Sequence, residues 1–347
     1  MGWAAVWAHD FDRAVALSHE AIAVAESLDA KAVLAGGTFN IAFVNAITGR
    51  LEESKADFDK VLALSRSAGD AAYEAFAILF NGALKNWAGE YDDALLHLTQ
   101  SLRLSREHNL LVPLMFGLFS RAVALTGKGD YDEALATITE GLALTEKAGD
   151  EVWHQRLLNG SGWLHLELGD ADSALDLNRR GAEGARKRGD HETIANSEIN
   201  LGDVCMTKGD LVLAQEFLDG VHRLVKDPAT SEWMRWRYST HLFASLADLA
   251  LTRGNRDEAR EFADQCLELA TRSNAKKNLV KGWRLKGEIA VARKQWDEAE
   301  TVLREALKIA EAIGNPTQLW KTHAALGRLH GERKNPDAAW QAYHAAR

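Results

Sequence analysis

Twelve histidines, two cysteines and fifty Asp and Glu residues give this chain of 347 residues the raw material for metal or acid–base chemistry. Spacing decides whether any of it is used. His323 and His330 stand seven apart and share a helix face, as do His154 and His165. A zinc site needs further ligands, and no Cys or acidic residue stands at a matching spacing on the same helix. His165, His330 and Cys205 fall at helix-packing positions, and Cys205 and Cys266 read as small apolar fillers. NGSGW at 159–163 has the outline of a nucleophile elbow, but it falls inside a helical pattern rather than on a strand–turn–helix corner. Gly36-Gly37 opens a helix and reads as a flexible start, not as a phosphate cradle. The sequence therefore predicts no catalytic residues, no metal and no cofactor.

Composition narrows the class. Ala, Leu, Glu and Asp are common and there are only four prolines, a bias toward helix. Net charge is −9, which argues against nucleic acid and anionic membrane as partners. Residues 1–173 hold 13 basic against 25 acidic residues, and residues 174–347 hold 28 against 25, so an acidic half precedes a mildly basic one. Two cysteines in a chain of this length are no disulfide framework. The longest apolar run, LLVPLMFGLF at 110–119, is too short to span a bilayer, and MGWAAVWAHD lacks the basic region of a signal peptide. A cytoplasmic location is the expectation.

The elements that must position any site are written in a repeat. GEYDDALLHL from Gly89, GDYDEALATI from Gly129 and GDADSALDLN from Gly169 recur at intervals of forty residues. The fifth residue after the Gly marks a column of Ala14, Ser54, Ala94, Ala134, Ala174, Ala214, Ala259, Ala299 and Ala339. Every step is 40 except one of 45, between Ala214 and Ala259. Twelve residues earlier runs a second column, Gly2, Ala42, Gly82, Ala122, Gly162, Gly202, Ala247, Gly287 and Gly327. Between the columns lie Gly-Asp and similar pairs, and AGD, RGD or IGN separates successive copies. Gly suits the left-handed residue that ends a helix, and Asp or Asn suits the next N-cap. Each copy therefore reads as helix, turn, helix, turn, with helices of about 17 residues or about 25 Å. The small columns let two antiparallel helices approach closely, and stacking buries what one hairpin cannot.

This pattern resembles the tetratricopeptide repeat (TPR) family: the small residue in the first helix, the G-[DE]-Y turn and the Ala in the second helix all match. The period of 40 and the replacement of the family's Pro by Gly-Asp depart from it. Both features are similar to the long-helix variant found in scaffold proteins and in the C-terminal arrays of bacterial multidomain signalling ATPases and cyclases. The resemblance implies an all-α, right-handed superhelical solenoid of about nine repeats. Their boundaries fall at about 1–29, 30–69, 70–109, 110–149, 150–189, 190–227, 228–274, 275–314 and 315–347, forming a single domain. The first and last repeats read as incomplete, which suggests a fragment of a longer protein or self-association through an end.

The resemblance also implies a concave groove lined by first helices, the site of a protein or peptide partner. In repeats two to five the groove positions include Phe39, Asn40, Phe43, Phe76, Phe80, Trp87, Phe116, Phe119 and Trp163. In repeats six to nine they include Asn196, Asn200, Asp203, Asp248, Lys281, Arg284, Glu288, Lys321 and Arg328. The first set is aromatic and suits an apolar or helical segment. The second is polar and suits register-setting hydrogen bonds. An alternative phase is equally open. Asn81, Arg121 and Ser161 fall in the column expected inside the hairpin, and a rotation by about one residue would bury Phe80 and its neighbours and turn those polar residues to the groove. The five extra residues fall near VKDPATSEWMRWRYSTH, 225–241. Asp227-Pro228 there predicts a lengthened first helix of repeat seven, projecting with Trp233, Arg235, Trp236 and Arg237. Two functions follow: an interaction scaffold holding a partner segment or domain, or a sensor binding a small peptide or metabolite.

Overall fold

The computed structural model describes residues 2–7, 10–227, 230 and 232–346. Among the described residues there are α-helices and no strands. Repeat one pairs α1 (Gly2–Trp7) with α2 (Phe11–Ser27), and repeat two pairs α3 (Lys31–Ile47) with α4 (Leu51–Ala68). Repeats three and four are α5 (Ala71–Trp87) with α6 (Tyr91–Glu107), and α7 (Leu111–Lys128) with α8 (Tyr131–Ala148). Repeats five and six are α9 (Glu151–Glu167) with α10 (Ala171–Arg188), and α11 (His191–Thr207) with α12 (Leu211–Lys226). Repeats seven to nine are α13 (Ser239–Thr252) with α14 (Arg256–Arg272), α15 (Lys276–Ala292) with α16 (Trp296–Ile313), and α17 (Pro316–Glu332) with α18 (Pro336–Ala345). The architecture is an all-α solenoid of helix hairpins. By length and composition α7 alone of the described helices could cross a membrane, and half of it is buried among its neighbours.

The small columns do what their size predicts. The second-helix column from Ala14 to Ala299 is fully buried, Ser54 included. Ser54 Oγ donates to the Ala42 carbonyl at 2.9 Å, so the one polar entry in the column is satisfied across the hairpin. In the facing column a Cβ on Gly202 would stand 2.8 Å from Leu218, and Cβ atoms on Gly162 and Gly287 would overlap Asn178 and Leu303. The turns also follow the sequence: Asp150, Asp170, Asp190, Asp210 and Asn315 each accept a backbone N–H of the helix they start.

The packing separates into two compact units. The first holds residues 1–86, 90–124 and 231–233. The second holds residues 87–89, 125–230 and 234–347. In the first unit the core is aromatic. Phe58 and Phe80 stack at 5.0 Å with their planes 7° apart, and Phe39 touches Trp3, Phe43, Phe58, Tyr73, Phe76 and Phe80. Burying each such ring stabilises by about 1.5–3 kcal/mol before the ring–ring term is added.

In the second unit the first helices pack side by side in succession, α9 on α11, α11 on α13, α13 on α15 and α15 on α17. The second helices stand apart by comparison. The row therefore curves with its first helices inside. Distant turns meet as it curves. Asn315 Nδ2 donates to the Gly127 carbonyl at 2.8 Å, and Trp87 Nε1 to the Ser273 carbonyl at 2.7 Å. Tyr131 and Thr317 hydroxyls lie 3.4 Å apart. These partners are 186 to 188 positions apart in the chain.

The 45-residue step meets the sequence expectation only in part: the first helix of repeat seven is lengthened, but it neither starts at Asp227 nor projects. The helix α12 ends at Lys226, and Asp227 is its extended C-cap rather than the N-cap of a long helix. Pro228 lies outside the described residues. Met234–Tyr238 winds as a π-helical turn directly ahead of α13. Helical residues run from Glu232 through that turn to Thr252, a longer run than the 17 residues of α11 and α15, but Met234, Trp236 and Tyr238 on it are buried rather than projecting. Trp236 is 4% exposed and meets Trp87 edge-on at 5.5 Å. Burial of the indole gains more than exposure on a projecting helix would. Trp233 is half-buried against the first unit's cluster of Ala5, Val6, Ala14, Val44 and Ile47, and Arg235 alone of the four is exposed.

Candidate groove in the second unit

Two columns of the inner helices face the same way, seven residues or two turns apart. One runs Trp163, Asp203, Asp248, Glu288 and Arg328, the residue after each small Gly or Ala. The other runs Arg156, Asn196, His241, Lys281 and Lys321. The hairpin packing uses the small residue, so its neighbour is turned to the inner side. Apart from Trp163, both columns are thus polar over five successive repeats.

These side chains are linked across helices. His241 Nε2 lies 3.0 Å from Asp203 Oδ2. Arg328 pairs with Glu288, and Arg284 Nη1 donates to Gln318 Oε1 at 2.8 Å. Arg156 lies 3.3 Å from Glu192 and 3.6 Å from Asp190, with its guanidinium carbon 5.4 Å from the Trp153 ring centroid. Trp163 Nε1 donates to Glu167 at 3.0 Å. Lys277 from α15 lies 4.1 Å from the Trp163 ring centroid and 3.7 Å from Glu167. A lysine thus sits over an indole and beside the carboxylate that the indole holds.

Crowding by protein sets the charge states. Burial pushes the Glu167 carboxyl up, but Lys277, Lys321, the Thr317 hydroxyl and Lys281 overcome it and hold it at about 2. Burial takes the Lys277 amine down to about 8, against the pull of Glu167. Lys321 is lowered by burial too. Burial raises Asp248 and Glu288, opposed by Arg284 in both cases. His241 is lowered by burial and by Lys281. Asp248 is open to water yet walled by protein, and the raised carboxyl reflects the walls rather than the opening. Between α13, α15 and α17 lies a cavity of about 330 Å³ with Asp248, Glu288 and Arg328 at its polar side. Leu251, Val291, Ala292 and Ala325 line the apolar side.

The residues named from sequence separate by unit. In the first, Phe39 and Phe80 are buried, 2% and 9% exposed, as the rotated alternative has it, but Asn81 does not turn to the groove as that alternative requires. Asn81 is buried as well and donates to Asp59 at 3.0 Å. Phe43, Phe76, Phe116 and Phe119 are half-buried, as is Asn40, which donates to Ser18 at 3.3 Å. In the second unit Trp87 is taken up by Ser273 and Trp236. Asn200 is 1% exposed and donates to Asn178 of α10, between repeats five and six. Asn196 is half-buried and donates to Asn159 at 2.5 Å. Trp163, Asp203, Arg284 and Arg328 come together with Asp248, Lys281, Glu288 and Lys321. Glu167, His241, Lys277 and Gln318 join them, while Arg156 is taken up by Glu192 and Asp190. Arg156 and His241 were legible, since both fall in the Asn196–Lys281–Lys321 column. Lys277, Glu167 and Gln318 lie off the columns and meet the rest only when the row curves. Among the described residues no three His, Cys, Asp or Glu side chains form a metal-like group.

Solved structures share this fold. A Rap protein complexed with competence and sporulation factor aligns with a TM-score of 0.74 at 15% identity, covering 99% of this chain and 94% of its own. The Rap conjugation gene regulator of plasmid pLS20, in complex with the Phr* peptide, gives 0.66 at 14%, covering 90% and 94%. NprR in complex with its cognate peptide NprX gives 0.60 at 10%, covering 89% and 87%. At such identities the likeness is one of fold. No curated protein sequence matches the chain. Residues 2–314 match the family described as the MalT-like TPR region. The chain is a member of that TPR family.

Proposed function

We propose that this chain is a non-catalytic binding domain that holds a short peptide in the groove of its second unit. One observation carries the reading: five successive inner helices present charged and amide side chains on one face, and that face holds an open cavity. A folded protein of this size keeps charged groups in such surroundings only at a cost, and structural repeats do not require them. Two features favour a peptide over a whole domain. The groove is narrow where Lys277 reaches Glu167 across it. Three structures of similar fold were solved with a peptide or factor bound.

The aromatic rings of the first unit have a smaller part in this reading, because Phe39 and Phe80 are committed to its core. The test is selection of a displayed random heptapeptide library on the intact chain, repeated on a folded Arg284→Ala, Arg328→Ala variant. The reading expects peptides that are enriched on the native chain and bind the variant at least about tenfold more weakly. Failure to enrich any sequence over the bare support, or equal retention by the variant, would contradict it.

A further inference from the structure

The groove is unevenly charged along its length. Lys277, Lys281 and Arg284 stand on one face of α15, four and three residues apart, and Lys321 follows on α17 in the same column as Lys281. The carboxylates around them are mostly engaged. Glu167 is met by Lys277, and Asp203 by His241. Among the described residues neither Lys281 nor Lys321 has a hydrogen bond or an ion pair. Arg284 donates to a neutral amide, Gln318, so its fork keeps donors for a further acceptor. The Gln318 amide supplies the independent sign. Its side chain is fully buried, its oxygen is taken by Arg284, and its Nε2 has no acceptor among the described residues. A buried N–H without an acceptor is rare unless something absent completes it.

We propose that Lys281, Lys321, Arg284 and the Gln318 amide form a site for a carboxylate of an acidic peptide, deepening the peptide reading above, on which it rests. A carboxylate offers two oxygens, enough to accept from the guanidinium fork and from one ammonium together. It would also offset the like charges that stand together on α15 and α17. Burial first, and neighbouring cations after it, lower the amines of Lys277 and Lys321. The chain is acidic overall, so this basic patch is local to the groove.

The test is calorimetric titration of the intact chain with acetylated, amidated tetrapeptides of Glu, Gln and Lys, with inorganic phosphate as a separate arm. The site predicts that the Glu peptide binds at least about tenfold more tightly than the Gln peptide, and that Lys281→Gln with Lys321→Gln removes that preference. Lys281→Arg with Lys321→Arg restores it, and Lys308→Gln on the exposed face of α16 leaves it unchanged. Lys281 and Lys321 also hold Glu167 charged, so the Gln variant is compared only once circular dichroism shows it folded. Equal binding of Glu and Gln peptides, no binding by either, or an unaffected Gln variant would overturn the proposal. Tighter binding of the Lys peptide, lost in Arg284→Ala, would overturn it while leaving the groove reading intact. Phosphate binding as tightly as the Glu peptide, on the same residues, would overturn the peptide assignment.

Discussion

At the scale of the residue, the same small side chains build the stack and choose which neighbours face the groove. Gly287 has no room for a methyl group against Leu303, while Gly331, on the same kind of helix, has nothing within 4 Å of where a Cβ would be. Gly287→Ala should therefore destabilise by about 1–3 kcal/mol. Gly331→Ala should be neutral or stabilising by up to about 1 kcal/mol, because helix propensity alone changes. Urea unfolding of both variants checks the pair. Charge inside the groove has its own signature. His241 is lowered, chiefly by burial, so it is neutral in the folded chain where the unfolded chain takes up a proton. The folded state then binds fewer protons, and stability falls as pH drops below about 6.5. Asp203 is lowered by its bonds to His241 and Ser245 despite burial, and its contribution is lost at lower pH still. His241→Gln should flatten the decline between about pH 6.5 and 5, read as the midpoint of urea unfolding at each pH.

At the scale of the element, the helix starts differ in what they hold. Asp210 caps α12 at an exposed turn with one bond to Leu213 N at 3.0 Å. Asn315 caps α17 through Gln318 N at 3.0 Å and also donates to Gly127 at 2.8 Å, and it is 2% exposed. Asp210→Ala should cost about 1 kcal/mol and Asn315→Ala about 2–3 kcal/mol, measured by thermal unfolding of each variant. The difference isolates the contact that closes the row of repeats. Element positions were readable from sequence because the signals are local: Gly then Asp at each turn, Ala and Gly at each close approach. The insertion was readable only in part: the lengthened helical run was, the π-helical turn in it and the burial of Trp236 were not. A π-helical turn and a longer α-helix use the same residues, and what separates them is where Trp236 finds a pocket, which depends on Trp87 some 150 positions away.

At the scale of the whole molecule, periodicity again explains what the sequence shows and what it hides. Columns at intervals of 40 gave Asp203, Arg284 and Arg328 with their neighbours, because facing is inherited from the repeat. The Phe39 and Phe80 rings were ambiguous because a shift of one residue exchanges core and groove, and only packing against Phe58 resolves it. Contacts such as Lys277 with Glu167 depend on how the row curves, which no single repeat encodes. If the groove is the site, a selected peptide binds the folded chain and not the unfolded one. At a hundred times its Kd it should then add about 2.7 kcal/mol of stability, and the Arg284→Ala, Arg328→Ala variant should gain much less at the same concentration. The most direct test is a crystal structure of the chain with a peptide recovered by selection. The account predicts that the peptide lies along the inner faces of α9 to α17, against Trp163, Lys281, Arg284 and Arg328. A peptide seated on the second helices, or only on the aromatic residues of the first unit, would contradict it.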